Sequence, residues 1–177
     1  VDISEIRAGD HIFYPTLLGA VYHHVIVTTQ PNSQLEFWGI HFQGPCETTG
    51  DPGGLSRVAV HRDARFQSSN SVWVLDRSNY YEGIFGTKVV TRSPVEIVRV
   101  AERALDRQGC PLPEDPGNRF RTTDYDGVKN NCEHFCTYCS LGKRWCYQVH
   151  QTKWKVFGTA AKAASGAALG VAGVALA

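Results

Sequence analysis

The chain has no methionine among its 177 residues, not even at position 1. We therefore expect a fragment or a processed product, from which any upstream targeting signal would be missing. Val1 to Asp10 is charged and lacks an apolar run, which excludes it as a secretory signal. There is no long basic stripe and the net charge is only +1, so nucleic acid is excluded as the default partner. No internal repeat is present. A second Cys-x-x-Cys pair is also missing. Cys136 and Cys139 have that spacing, but nothing completes a four-ligand zinc site with them. Cys132, His134, Cys136 and Cys139 cannot converge on one ion from a regular helix, so no metal is expected there.

The 6 cysteines would allow three disulfides in an oxidising compartment. Cys132, Cys136 and Cys139 crowd one short predicted helix, however, where neighbours on one face do not bridge easily. We read them as reduced thiols and the protein as intracellular and cytoplasmic.

What is present fits one compact domain with a true core, the composition being 42% hydrophobic and 20% charged. We place that domain at residues 1–150 and an Ala/Gly-rich tail at 151–177. Within the tail Gly158 to Ala177 is almost wholly Ala, Gly, Val and Leu, with Gly166 and Gly170 spaced as a small-xxx-small pair. Lys153, Trp154, Lys155, Phe157 and Lys162 flank or enter it. It is shorter and less apolar than a spanning helix requires. Two readings stay open, a membrane-surface or truncated anchor segment and a flexible tail.

Along the chain, Ala8 to Pro15 reads as a turn and a short strand that ends before the proline. Leu17 to Ala20 reads as a bend. Val21 to Val27 is a strong β-run, Pro31-Asn32-Ser33 a turn, and Leu35 to Phe42 the strand that returns as a hairpin. Arg57 to His61 alternates like a half-buried strand. Val72 to Leu75, apolar throughout, reads as a strand buried on both faces, and Phe85 to Thr91 as a further strand. Ser93-Pro94-Val95-Glu96 is a helix start with a capping box. That helix runs to about Gln108, with Val98, Ala101 and Leu105 on its buried face. Cys110 to Thr123 is loop. The fold class expected is α+β, an antiparallel sheet carrying the histidines and packed against the helices 94–108 and 131–142.

The chemistry concentrates in Asn131-Cys132-Glu133-His134-Phe135. Asn131 is a good N-cap, which sets Cys132 at the first helical position, where the free amides and the helix dipole favour a thiolate. The Cys132 amide supplies part of an oxyanion hole there, with Asn131 in support. Phe135, Cys136, Cys139 and Leu141 mark a buried face, so Cys136 and Cys139 read as core side chains. Gly142 is the stop. A thiolate nucleophile needs a base and a group that orients the base. His23 and His24 point to opposite faces of their strand, so one of them can face Cys132, and His41 on the next strand is the natural orienting partner. His134 points away from Cys132, His11 reads as structural, and His61 and His150 read as exposed.

Three pieces together resemble the LRAT-like domain, the family of lecithin:retinol acyltransferase and related phospholipase A/acyltransferases. Gly9-Asp10-His11-Ile12 looks like the family's opening Gly-Asp-x-Ile strand. Tyr22-His23-His24-Val25-Ile26-Val27 resembles its His-containing strand, in which the base lies three residues before an Ile. Asn131-Cys132-Glu133-His134-Phe135 matches its cysteine motif, and Tyr125 to Cys132 looks like the plant-type members. The likeness covers about Ala8 to Gly142. The family strand usually continues Tyr-Val-Gly-Asp where this chain has Val27-Thr28-Thr29-Gln30, and Gly44 to Thr91 match little.

The resemblance implies a permuted papain-like fold, with Cys132 as nucleophile, His23 as base, His41 as the second histidine and His24 as the fallback base. It implies attack on a phospholipid acyl ester, or another acyl ester, through a thioester that water, an amine or an alcohol resolves. Neither metal nor organic cofactor is needed. A lipid substrate would give the tail a purpose at a membrane surface. The alternatives are a peptidase or deubiquitinase-like thiol hydrolase and a non-catalytic interaction module, including one of the viral H-box/NC type.

Overall fold

The computed structural model describes residues 1–15, 22–45, 50–67, 72–75, 89–107 and 120–147. The chain divides into two compact units, Val1–Trp145 and Cys146–Ala177. The second lies almost entirely outside the described residues, as do the apolar tail, the Leu17–Ala20 bend, residues 85–88 of the expected sixth strand, and His150. Val89 to Thr91, the rest of that expected strand, belong to no strand.

The first unit is α+β. Strands β1 (His11–Pro15), β2 (Tyr22–Val27), β3 (Trp38–Gln43), β4 (Gly54–Ala59) and β5 (Trp73–Val74) form one antiparallel sheet in the order β4-β3-β2-β1-β5. Among the described residues the helices are α1 (Ala64–Gln67), α2 (Pro94–Asp106) and α3 (Cys132–Leu141). No helix among the described residues is long and apolar enough to cross a membrane.

The sheet is buried on both faces, and strand alternation sorts its residues between two cores. On one face Ile26, Ile40, Phe42 and Leu55 pack against Ile97, Val100, Ala101 and Ala104 of α2 and Phe135, Cys136 and Cys139 of α3. On the other, Ile12, Tyr14, Val25 and Val27 pack with Ile6, Phe37, Val60 and Phe66. In β2, therefore, Ile26 looks towards the helices while Val25 and Val27 look the other way. The run Tyr22 to Val27 reads as continuous rather than alternating because neither face meets bulk water.

Several boundaries differ from those expected, each for a local reason. The β2–β3 hairpin forms, but β3 starts at Trp38 instead of Leu35. Asn32 Oδ1 accepts from the amides of Gln34 and Glu36, both at 2.9 Å, and Leu35 takes a left-handed φ of 59°, so the turn consumes the first residues of the apolar run. The next strand starts at Gly54 because β3 extends to Gln43 and pairs with it there; Val60–Arg62 is a 3₁₀ turn instead of the strand's end. Among the described residues β5 is an edge strand paired with β1, and Trp73 is 38% exposed, which corrects the two-sided burial read from its composition. The buried face of α2 is Ile97, Val100, Ala101 and Ala104, rotated from the expected stripe; Val98 and Leu105 flank it half-buried.

Helix starts follow the caps. Ser93 and Glu96 form the capping box of α2, with Pro94 in its first turn. Gly9 holds φ +90° directly against Pro94, where a Cβ would sit 2.6 Å from the Pro94 backbone, so the turn into β1 and the start of α2 interlock only through a glycine. At the other end of α3, Gly142 adopts φ +74° and its amide donates to Tyr138 O at 2.8 Å. Arg92 Nη1 donates to the carbonyls of Tyr138 and Cys139 at 2.8 and 3.1 Å, placing a cation at the negative end of the helix.

Candidate active site

The loop before α3 is closed by its own backbone. Asp126 and Asn130 exchange two amide-to-carbonyl bonds of 2.9 Å. The Asp126 carboxylate accepts from the Val128 and Lys129 amides, which holds its pKa below the usual carboxylate value. Asn131 then caps the helix as expected. Its Oδ1 accepts from the Glu133 and His134 amides at 3.0 and 3.2 Å, and its Nδ2 donates to Gly127 O at 2.8 Å. Both ends of the Asn131 side chain are thus engaged in building the helix start. His134 closes the capping box, its Nδ1 lying 3.3 Å from the Asn131 amide nitrogen.

Cys132 is the first residue of α3 and is 5% exposed. Its Sγ lies 3.9 Å from the carbonyl oxygen of Tyr22, the first residue of β2. Cys136 and Cys139, one turn or more further on, are core thiols; burial pushes the pKa of each well above the ordinary thiol value, which makes them inert.

The four histidines of β1, β2 and β3 fall into two groups, one on each face of β2. On the face away from α2 and α3, His23 Nε2 is 2.7 Å from His41 Nδ1, and His41 Nε2 is 2.8 Å from Ser56 Oγ on β4. Tyr14 lies opposite His23, its ring centroid 5.6 Å away, and donates its hydroxyl to Asp63 Oδ2 at 3.1 Å. His23, His41 and Asp63 bring one potential ligand atom each to within 4.8 Å of one another. On the helix face, His24 Nδ1 is 2.8 Å from His11 Nε2, and His24 Nε2 is 3.9 Å from the fully buried Glu133 carboxylate. Phe13 stacks on His24 at 5.5 Å. Burial lowers the His24 pKa to about 4, against a smaller opposing pull from Glu133, so the ring is neutral near pH 7.

The expected pairing of His23 with His41 is therefore present, by a diagonal route. The β2–β3 ladder consists of Ile26↔Ile40 and Val27↔Gly39. Continued by alternation, this register sets His41 opposite Val25, two residues from His23 on the same face. The paired register ends at Ile26↔Ile40, and Cys132 sits at the Tyr22 end of β2. His24 stands with His11 and Glu133. His61, expected to be exposed, is half-buried, with Nδ1 3.2 Å from Phe37 N and Nε2 3.7 Å from Glu36. Sequence reasoning missed Ser56, Asp63, Tyr14 and Glu133. Only Glu133 carried a signal, its place inside the cysteine motif.

Comparison with protein-family models, with curated proteins and with solved structures returns no match for this chain.

Proposed function

We propose that this chain is a thiol-dependent acyltransferase or phospholipase that acts on phospholipid acyl esters through a thioester at Cys132. The observation that carries the reading is the coincidence of two built features at one end of β2. A capped helix start holds a thiol against the Tyr22 carbonyl, and the next residue in the strand begins the hydrogen-bonded chain His23–His41–Ser56. The likeness of Asn131 to Phe135 and of the two His-bearing strands to the LRAT-like domain supports the same roles, and a permuted papain-like arrangement of the fold.

In this reading Cys132 Sγ attacks the acyl carbonyl and forms the thioester, while His23 takes the thiol proton and returns it to the leaving alkoxide. The Cys132 amide at the helix start stabilises the developing oxyanion, and Asn131 contributes by fixing that amide's direction. His41 is a positioning residue, since it touches the base and not the reacting atoms. The reading requires the thiol carried by α3 to reach the His23 imidazole, on the opposite sheet face, past the end of the β2–β3 ladder. His24 is the weaker candidate base: its pKa of about 4 makes it a poor acceptor for a thiol proton, and its ring is held between His11 and Glu133. Water as the acceptor gives hydrolysis, and an amine or alcohol gives transfer. The enzyme works at a membrane surface, to which the Lys- and Trp-flanked tail directs it.

The test is incubation with phospholipid vesicles, followed by mass spectrometry of the intact protein and its peptides. An acyl adduct on Cys132 and its absence in Cys132→Ala are expected. Undiminished lipid turnover in Cys132→Ala, or turnover of peptide amides with none of lipid esters, overturns the reading.

A further inference from the structure

We propose that His23, His41 and Asp63 form a binding site for a divalent cation of the zinc class on the sheet face away from α2 and α3. Three elements meet there, namely β2, β3 and the residue that follows the Val60–Arg62 turn. The donor set is two imidazoles and one carboxylate, with the donor atoms within 4.8 Å of one another. Imidazole nitrogen and carboxylate oxygen are the ligands that zinc and its late first-row neighbours take, in sites that leave a fourth position to water.

The surroundings are those of a ligand shell. Ligating histidines are oriented by a hydrogen bond at the other ring nitrogen, and ligating carboxylates are themselves hydrogen-bonded. His41 has Ser56 Oγ at 2.8 Å from Nε2, and Asp63 accepts from the Tyr14 hydroxyl at 3.1 Å. The identity, number and closeness of the ligands, with outer support for His41 and Asp63, are the parts of a metal site already in place.

Loading the site requires a rearrangement of the two rings and of one hydrogen. Two nitrogens on one tetrahedral zinc at about 2.0–2.1 Å stand roughly 3.3 Å apart. His23 Nε2 and His41 Nδ1 are 2.7 Å apart and share one hydrogen. Binding needs both lone pairs, so the rings open by about half an ångström and that hydrogen moves to an outer nitrogen. Two neutral imidazoles carry two N–H hydrogens before and after, so no proton is released. The carboxylate offsets one of the two charges of the ion.

The cation and the His23–His41 hydrogen bond exclude each other. If the reading of function above holds, zinc is an inhibitor that withdraws the base; the binding itself does not rest on that reading. The thiols are a competing sink for zinc, so the experiment uses the full chain carrying Cys132→Ser. Titration of zinc chloride by calorimetry is expected to show one site. Asp63→Asn, which is isosteric, should weaken it at least about tenfold, and Ser56→Ala by about tenfold or less. His41→Gln should abolish it. Cobalt(II) in place of zinc should give visible d–d bands that vanish in Asp63→Asn. No binding, or binding unchanged in Asp63→Asn, overturns the site. Zinc should also slow acyl turnover of the native sequence and not of Asp63→Asn. Zinc binding without any acyl turnover sustains the site and defeats the functional reading instead.

Discussion

His23 and His24 are adjacent, chemically identical and nearly equally buried, yet they occupy two different environments. His24 sits among His11, Phe13 and Glu133 under α3, where burial keeps it neutral and its hydrogen bonds tie β1 to β2. His23 begins a polar chain that crosses β3 to β4 and has a tyrosine–carboxylate pair beside it. The contrast arises from strand geometry alone. A period of two sends neighbours to opposite faces, and because both faces are covered, each side chain meets a complete but different set of partners. Two histidines in a row are therefore two roles, and mutating them separately can tell the roles apart.

The largest effect should come from exchanging the positions. His23→Gln is expected to lower kcat/KM for acyl transfer by about a hundredfold to ten-thousandfold, the usual worth of a positioned general base. His24→Gln should leave kcat/KM of the folded protein within a few-fold and lower its resistance to denaturant. The reverse pattern, with turnover lost only in His24→Gln, would move the base to the helix face.

Next in size is a pH effect carried mainly by His24, to which His134, also held below the ordinary histidine value by burial, adds with the same sign. The unfolded histidine takes up its proton as pH falls through 6.5, whereas the folded one waits until about 4. Between those values the unfolded state binds more protons, so stability declines as the solution is acidified through that window. The His24 share is about 3 kcal/mol, since each pH unit of the window costs about 1.4 kcal/mol, and this group adds nothing further below the lower value. Denaturant titrations between pH 7 and 4 should show the decline. His24→Gln should make it markedly shallower, leaving the part due to His134, and His23→Gln should not. An equally steep decline in His24→Gln would refute the assignment to that ring.

Much of this contrast was legible in the sequence. Alternation put His23 and His24 on opposite faces, the branched and aromatic runs gave β1, β2 and β3, and Asn131, Ser93 and Gly142 marked helix ends that depend only on local chemistry. Local chemistry also explains what was missed. Leu35 looked like the start of a strand because propensity does not register that Asn32 binds two amides beyond it. Trp73 looked buried because composition cannot say which strand lies at an edge. The faces of α2 could not be fixed because two apolar stripes one residue apart satisfy the same period. Ser56 and Asp63 gave no signal at all: a serine in an alternating strand bonds His41, and an aspartate after a turn comes near His23 and His41, only once β3 and β4 are in register.

The smallest effect should be the one at Ser56, and it probes the direction of the chain. For His23 to accept a proton at Nδ1, its Nε2 must carry hydrogen and donate to His41 Nδ1; His41 Nε2–H then donates to Ser56 Oγ. The opposite direction begins with the serine hydroxyl donating to His41 and ends with hydrogen on His23 Nδ1, which disables the base. Ser56 does not touch the reacting atoms, so its removal alters the balance of the two directions and leaves the rings in place. Ser56→Ala should lower kcat about tenfold with KM unchanged, roughly the worth of one lost hydrogen bond, and should shift the pH profile of kcat/KM. Ser56→Thr keeps the hydroxyl and should restore both. A Ser56→Ala enzyme with native kcat and pH profile would show that His41 orients His23 without help from β4.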